Sequence, residues 1–349
     1  MYRSPYPRSS PIIFLSLATF LAASAMPVTA LADDKDRVNI LEENDSLYVN
    51  SDKHYTQGLR LSDLAPDLGP KSAWNGPFDF AGDLLPIFRR DGGEQSLRRY
   101  SLFLGQSLFT PKNLTVKPPS TTDRPYGGWL YAGASLLQER DRSMLENLEV
   151  DLGVVGPGAL GKQVQNDFHQ LIGVNQAKGW SSQIQNEPGI VLSYERLWRQ
   201  SVIGGRAGGV DIIPQAGASV GNVFTYADIG GMLRIGKNLG ADYGPARIRP
   251  ALSGTDYFDG NGLDGDLGYY IFAGLQGRAV GQNIFLDGNS FRQSPNVSKK
   301  TLVADFQAGF SVFWKTQIRA DFSVVRRTRE FSGQSSPDEI CTAALSFSW

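Results

Sequence analysis

The chain has 349 residues, 34 basic and 35 acidic side chains, a net charge of −1 and a mean hydropathy of −0.24. A balance this close to neutral leaves no basic footprint for nucleic acid, and a single cysteine, Cys341, excludes an internal disulfide. Beyond residue 32 no run of about 18 apolar residues occurs, so no membrane-spanning helix is expected.

In chain order, Arg3 and Arg8 form a basic start, Pro11 to Ala25 an apolar stretch, and Ala30-Leu31-Ala32 a small-residue cleavage site. This is the pattern of an export signal over 1–32, removed to leave a mature chain over 33–349. No cysteine follows the cleavage site, so no lipoprotein anchor is expected. Loss of Arg3 and Arg8 leaves 32 basic against 35 acidic residues.

From there alternation with period two dominates, which is the signature of strands with one apolar face. Met144, Leu148, Val150, Leu152 and Val154 oppose Asn147, Glu149, Asp151 and Gly153. Leu302, Phe306, Phe310, Val312 and Trp314 oppose Thr301, Asp305, Gln307 and Ser311; Ile318, Ala320, Phe322 and Val324 oppose Arg319, Asp321 and Ser323. The chain closes on Cys341, Ala343, Leu345, Phe347 and Trp349 facing away from Thr342, Ala344, Ser346 and Ser348. An export signal with a final amphipathic strand ending in an aromatic is the pattern of an outer-membrane barrel, whose lipid signal lies in alternation rather than in runs.

Strands are predicted over 36–44, 54–64, 97–109, 126–138, 143–155, 188–199, 206–219, 223–236, 268–281, 301–314, 317–330 and 339–349. An even number brings both ends to the periplasmic side and makes the odd connections extracellular. The connections over 65–96 and 237–267 exceed the short periplasmic turns expected and leave room for small extra elements. Leu160 to Val174 breaks the alternation. Its apolar residues Leu160, Val164, Phe168, Leu171 and Ile172 suit a helix, entered from Gly156-Pro157-Gly158 and left near Gly173. The predicted fold is therefore all-β: a closed antiparallel transmembrane β-barrel of about twelve strands with a short extracellular rim helix, in the outer membrane of a Gram-negative bacterium. Such a barrel has a narrow interior that side chains largely fill, which weighs against a porin-like channel.

The mature chain holds two histidines, His54 and His169. His169 lies on the predicted helix one turn after Gln165, so both project from one side. Strand order brings Asn44-Asp45, Tyr55-Thr56 and His169 to the same rim. Asp45 is a hard oxygen ligand suited to calcium, with Asn44 and main-chain carbonyls as helpers. Glu42-Glu43-Asn44-Asp45 reads equally as a solvated acidic patch. His169 has the chemistry to take a proton near neutral pH, and a divalent cation would stabilise the oxyanion of an attacked ester. His54 reads as a structural or loop residue. Arg124, Lys112 and Lys117 are charge-assisted donors suited to phosphate groups, or members of an ordinary charged loop. No Gly-x-Ser-x-Gly elbow, His-Glu-x-x-His helix or Cys-x-x-Cys pair is present.

Several segments together resemble one family. They are Glu43-Asn44-Asp45, Asp52-Lys53-His54-Tyr55-Thr56-Gln57-Gly58, Asp123-Arg124-Pro125-Tyr126-Gly127-Gly128-Trp129, Val164-Gln165-Asn166 with His169, Gly179-Trp180-Ser181-Ser182-Gln183-Ile184, and Arg326-Arg327-Thr328-Arg329-Glu330-Phe331. The chain is similar over nearly all its mature length to the outer-membrane lipid A 3′-O-deacylases called LpxR. The resemblance implies a twelve-stranded barrel and calcium-dependent hydrolysis of the ester-linked acyl groups at the 3′ position of lipid A. The partners it implies are lipid A, lipopolysaccharide and the surrounding outer-membrane lipids. Carried over by motif, His169 is the base that activates water. Asn44, Asp45 and Thr56 build the metal and substrate site, and Gln165 supports it. Asn175 stands six residues after the histidine, where relatives carry a glutamate, and so offers an oxygen ligand without charge. A catalytically silent barrel of the same family is the competing expectation.

Overall fold

The computed structural model describes residues 36–45, 53–85, 96–205, 208–251, 255–261 and 263–348. The export signal expected over 1–32 lies outside these residues, as does Trp349. The strands among the described residues are β1 (Arg37–Asn44), β2 (His54–Leu64), β3 (Ser96–Thr110), β4 (Gly127–Arg140), β5 (Met144–Val155), β6 (Glu187–Trp198), β7 (Gln200–Gly205), β8 (Gly208–Gly221), β9 (Phe224–Lys237), β10 (Leu267–Asn283), β11 (Leu302–Trp314), β12 (Ile318–Arg327) and β13 (Asp338–Ser348). Each is antiparallel to its neighbours, and the ring closes through β1 on β13 and β6 on β8. The strands form a closed barrel of twelve positions, because β7 continues β6 past Arg199. Both lie along β8, with Leu197 opposite Gln215 and Gln200 opposite Ile212. Closure pairs every strand edge, which a membrane-spanning sheet requires because lipid offers no hydrogen-bond partners. The end where β1 starts and β13 finishes is here the base, and the opposite end the rim.

Alternation sends apolar chains outward and polar ones into the lumen. Leu104, Leu152, Ile190, Ile229, Ile271 and Phe306 are exposed on the outer wall. Inside, charged residues stand in mutually neutralising groups: Asp305 accepts from Arg278 Nη1 and Arg327 Nε, both at 2.9 Å. Arg234 pairs with Asp211 and Asp242. An unpaired buried charge costs several kcal/mol, on the order of 3–5 when one partner is removed, so these groups hold one another in place.

The described parts of the long connection between β9 and β10 (238–251, 255–261 and 263–266) turn into the lumen and pack there. Arg247 Nε donates to Glu43 Oε1 at 2.8 Å, and Arg249 Nη2 to Glu195 Oε2 at 2.7 Å. Tyr243 and Tyr257 both donate to Glu139, at 2.9 and 2.6 Å. Ile248 packs against Leu41 and Ala344. A cavity of about 10 Å³ remains beside Arg60, Glu149, Asp151 and Arg249, room for about one water. The other long connection carries helix α1 (Asn75–Leu84), which packs Phe78 and Ala81 against Leu136, Leu148 and Tyr194.

Candidate functional site

Helix α2 (Gly161–Ile172) stands at the rim between β5 and β6. It ends at Gly173, whose φ of 73° places it in the left-handed region that glycine adopts without strain, and whose N–H bonds back into the last turn. The helix sits outside the barrel, not over its mouth. Gln106, on the outward face of β3, donates to the Ala159 carbonyl just before α2 at 2.7 Å. Leu108, on the same face, is fully buried with Trp180, Tyr126 and Ala177. A side chain at Gly161 would meet the Trp180 ring at 2.6 Å and Leu108 at 2.9 Å, so the missing Cβ is what lets the helix approach the wall.

The buried face of the helix is polar, and its exposed face mixes apolar residues with Lys162, Gln163, Asp167 and Gln170. Gln165, Asn166 and His169 are buried against the protein, whereas Phe168, Leu171 and Ile172 are exposed, Leu171 to 78 %. Trp180 Nε1–H donates to Gln165 Oε1 at 2.8 Å. An indole nitrogen only donates, so this bond fixes the amide flip and turns the Gln165 NH₂ group the other way. Asn166 clamps the returning chain, accepting from the Ala177 N–H at 2.9 Å and donating to the Ala177 carbonyl at 3.4 Å. His169 Nδ1 lies 2.7 Å from the main-chain oxygen of Asn175. A carbonyl only accepts, so Nδ1 carries the proton and the neutral ring has its lone pair on Nε2.

Strand register carries other expected residues to the same stretch of wall. In β1, Arg37, Asn39, Leu41 and Glu43 are the buried set, and Glu42 and Asn44 belong to the other face. Asn44 stands opposite Gln57, Gln57 opposite Leu108, and Leu108 opposite Gly128, a row that leads directly under α2. Glu42 hydrogen-bonds Asn44 and Gln57 within this patch. A bulge between Tyr55 and Gln57 leaves Thr56 out of the ladder, and its Oγ1 lies 2.6 Å from Thr110 Oγ1, two residues from Leu108. Asn44, Thr56, Gln165 and His169 therefore belong to one patch of the outer wall near the rim. Gln57, Thr110 and Trp180 belong to it as well, without having been assigned a role from sequence.

Asp45 follows Asn44 directly at the end of β1, and the remaining expected residues stand elsewhere. Asp45 is buried just beyond β1 and accepts from the Lys53 N–H at 2.6 Å, tying together the two ends of the 46–52 connection. Lys112 and Lys117 are exposed. Arg124, expected to grip phosphate beside them, requires correction. It is fully buried, 4.8 Å over the inward-facing Phe109 ring and 3.3 Å from Glu330, which pairs its charge. Asn175 is likewise repositioned in role: its side chain is exposed, and its main-chain oxygen is what meets His169. His54 is buried at the mouth, 2.7 Å from Asp338 and 3.6 Å from Asp123, edge-on to Phe331. Burial alone would raise the Asp123 carboxyl. Hydrogen bonds from His54 and from the Lys112 and Arg124 N–H groups outweigh it and hold Asp123 below the usual carboxylate range.

Among the described residues no three His, Cys, Asp or Glu side chains form a metal cluster. The donors at the expected position are the Asn44 amide, the Asp45 carboxylate, the Thr56 hydroxyl and main-chain carbonyls. This set of hard oxygens with one carboxylate fits calcium in kind and does not fit a thiolate- or imidazole-rich zinc site.

The model of the family described as outer membrane protein LpxR matches residues 13–349. LpxR from Salmonella typhimurium superposes with a TM-score of 0.69 at 21 % identity, covering 90 % of this chain and 100 % of that one. The β domain of the Bordetella autotransporter BrkA gives 0.44 at 10 % identity, over 91 % of this chain and 100 % of that one. An outer membrane channel from Pseudomonas putida F1 gives 0.41 at 10 %, over 92 % and 97 %. No curated protein sequence matches the chain significantly. With the family model covering nearly the whole sequence, the chain belongs to the LpxR family of outer membrane proteins.

Proposed function

We propose that the protein is a lipid A 3′-O-deacylase that hydrolyses an ester-linked acyl chain in the outer leaflet, with the rim facing the cell exterior. The observation that carries this reading is His169. It is a histidine in the tautomer of a general base, set among polar groups on the lipid-facing wall of the barrel. Polar side chains on that wall are unfavourable unless something uses them. The exposed apolar side of α2 suits a site whose substrate keeps its acyl chains in the membrane.

His169 Nε2 would take a proton from water as the water oxygen attacks the ester carbonyl carbon. The acyl–oxygen bond then breaks, the acyl chain leaves as a carboxylic acid, and the proton returns to the sugar 3′ oxygen. Gln165, held by Trp180, presents its amide NH₂ as a donor. Asn44 and Asp45, with Thr56 beside them, would hold calcium. When bound, that ion supplies positive charge for the oxyanion of the attacked ester. Lys112 and Lys117, exposed beyond β3, would pair with lipid A phosphates.

The competing readings are weaker. A channel needs an open lumen, and Arg247, Ile248 and Arg249 pack inside this one against Glu43, Leu41 and Glu195. The silent-barrel reading rests on Asn175 replacing a glutamate, but the base takes its orienting bond from a main-chain oxygen that any residue supplies. Incubating purified lipid A with the protein in calcium and measuring fatty-acid release tests the proposal, with His169→Ala as the control. Equal release by both proteins, or none by either, would overturn it.

A further inference from the structure

Helix α1 lies on the outer wall at the base end, and its residues divide into three sectors at about 3.6 residues per turn. Asn75, Phe78, Ala81 and Gly82 face the wall and are buried. Pro77, Phe80 and Leu84 form a second sector that is apolar and exposed, with Phe80 at 66 % and Leu84 at 64 %. Asp79 and Asp83 form a third, exposed and acidic. A helix at a simple water surface has two sectors, one buried and one polar. The additional apolar sector needs its own environment.

The wall beneath explains what the helix covers. Arg98, Gln138, Glu146 and Arg196 are successive register partners across β3 to β6, on the outward face. Arg98 Nε donates to Gln138 at 2.9 Å and Arg196 Nη2 to Glu146 at 2.6 Å. Such a polar row is costly on a lipid-facing wall. Helix α1 lies beside it, pinned by Arg98 Nη1 to Asp79 Oδ1 at 2.9 Å and by the Arg98 guanidinium 4.9 Å over the Phe78 ring. Trp74, just before the helix, stacks on Tyr100 of the outer wall at 4.0 Å, an aromatic pair of the kind found at membrane boundaries.

We propose that α1 is an interfacial anchor seated at the boundary between acyl chains and headgroups of the leaflet at the base end. Pro77, Phe80 and Leu84 enter lipid, and Asp83 and the open side of Asp79 face water. The occupant is membrane lipid because the row that α1 packs on, Leu136, Leu148 and Tyr194, continues the exposed apolar belt of Leu104, Leu152 and Leu192 two to four residues higher on the same strands and their neighbour. The proposal is independent of the catalytic reading.

Single cysteines at Phe80→Cys, Leu84→Cys and Asp83→Cys, each in a Cys341→Ala background, would carry a bimane label. The full barrel goes into phosphatidylethanolamine–phosphatidylglycerol nanodiscs, which leave both faces open to solvent, and heat-modifiable migration confirms folding. Lipids with a nitroxide near the headgroup should quench the labels at 80 and 84 several-fold more than the label at 83. Iodide in solution should show the reverse order. Iodide quenching at 80 and 84 equal to that at 83 would overturn the proposal, as would protection from both quenchers, which marks cover by protein instead of lipid.

Discussion

His169 Nδ1 lies 2.7 Å from the main-chain oxygen of Asn175, six residues away across the end of α2. The bond sets the tautomer and aim of the ring through a main-chain oxygen, at a residue whose side chain the sequence predicts as a neutral oxygen ligand. It makes the identity of the Asn175 side chain secondary, because that side chain is exposed. His169→Ala should lower ester hydrolysis about 10²- to 10⁴-fold, the range for loss of a general base. Asn175→Ala should stay within a few-fold of the parent protein, and Asn175→Glu should leave calcium dependence nearly unchanged. Fatty-acid release over a calcium titration checks all three variants.

Trp180 acts through Gln165. Trp180→Phe keeps most of the packing against Tyr126 and Leu108 but removes the indole donor that orients the Gln165 amide. The expected result is a drop in kcat with little change in KM. Gln165→Ala should show the same loss, and the double variant should add little to either single change, because both act through one hydrogen bond.

Seating of α2 on the wall depends on Gly161. Gly161→Val pushes against Trp180 and Leu108 and should lift the helix, moving His169 off the wall. Activity should fall by an order of magnitude or more, since misplacing a catalytic group by about 1 Å costs roughly 10²-fold. The barrel's heat-modifiable gel shift should survive, because α2 lies outside it.

The lumen mouth should be acid-sensitive through Asp123. Its carboxyl is held below the ordinary range, so it contributes stability in full above the unfolded value of about 3.9 and loses it as pH falls through the lower folded value. Asp123→Asn should destabilise the protein at neutral pH, and the difference from the parent should vanish in strong acid. Thermal unfolding in detergent across that pH range measures it.

Much of this architecture is legible in the sequence. The alternation over 144–155, 302–314 and 318–324 marks strands that the structure contains, and Leu160 to Val174 marks α2. The break at Arg199 is not legible, since β7 merely continues β6 and no change of period announces it. The lumen plug is not legible either: residues 238–266 have no periodicity, and their fit comes from Arg247 and Arg249 meeting acids on distant strands. The inward charges themselves, Glu43, Glu149 and Glu195 among them, were the available sign that something must enter to neutralise them. Strand order predicts Asn44 and Thr56 near one rim, and the register carries both toward the stretch of outer wall beneath α2. Arg124 lies buried beside Phe109 and Glu330, and sequence order does not distinguish the lumen mouth from the outer rim. The Asn175 carbonyl could not be found at all, since a main-chain group leaves no mark in the sequence.

The most direct measurement is the mass spectrum of lipid A from Gram-negative cells making the protein or its His169→Ala variant, grown with calcium. The account predicts a lipid A species lacking the acyl group esterified at the 3′ position in the first strain, absent in the second, and absent again from reactions of the purified protein with chelator. Identical lipid A in both strains, together with no acyl release by the purified protein in calcium, would contradict it.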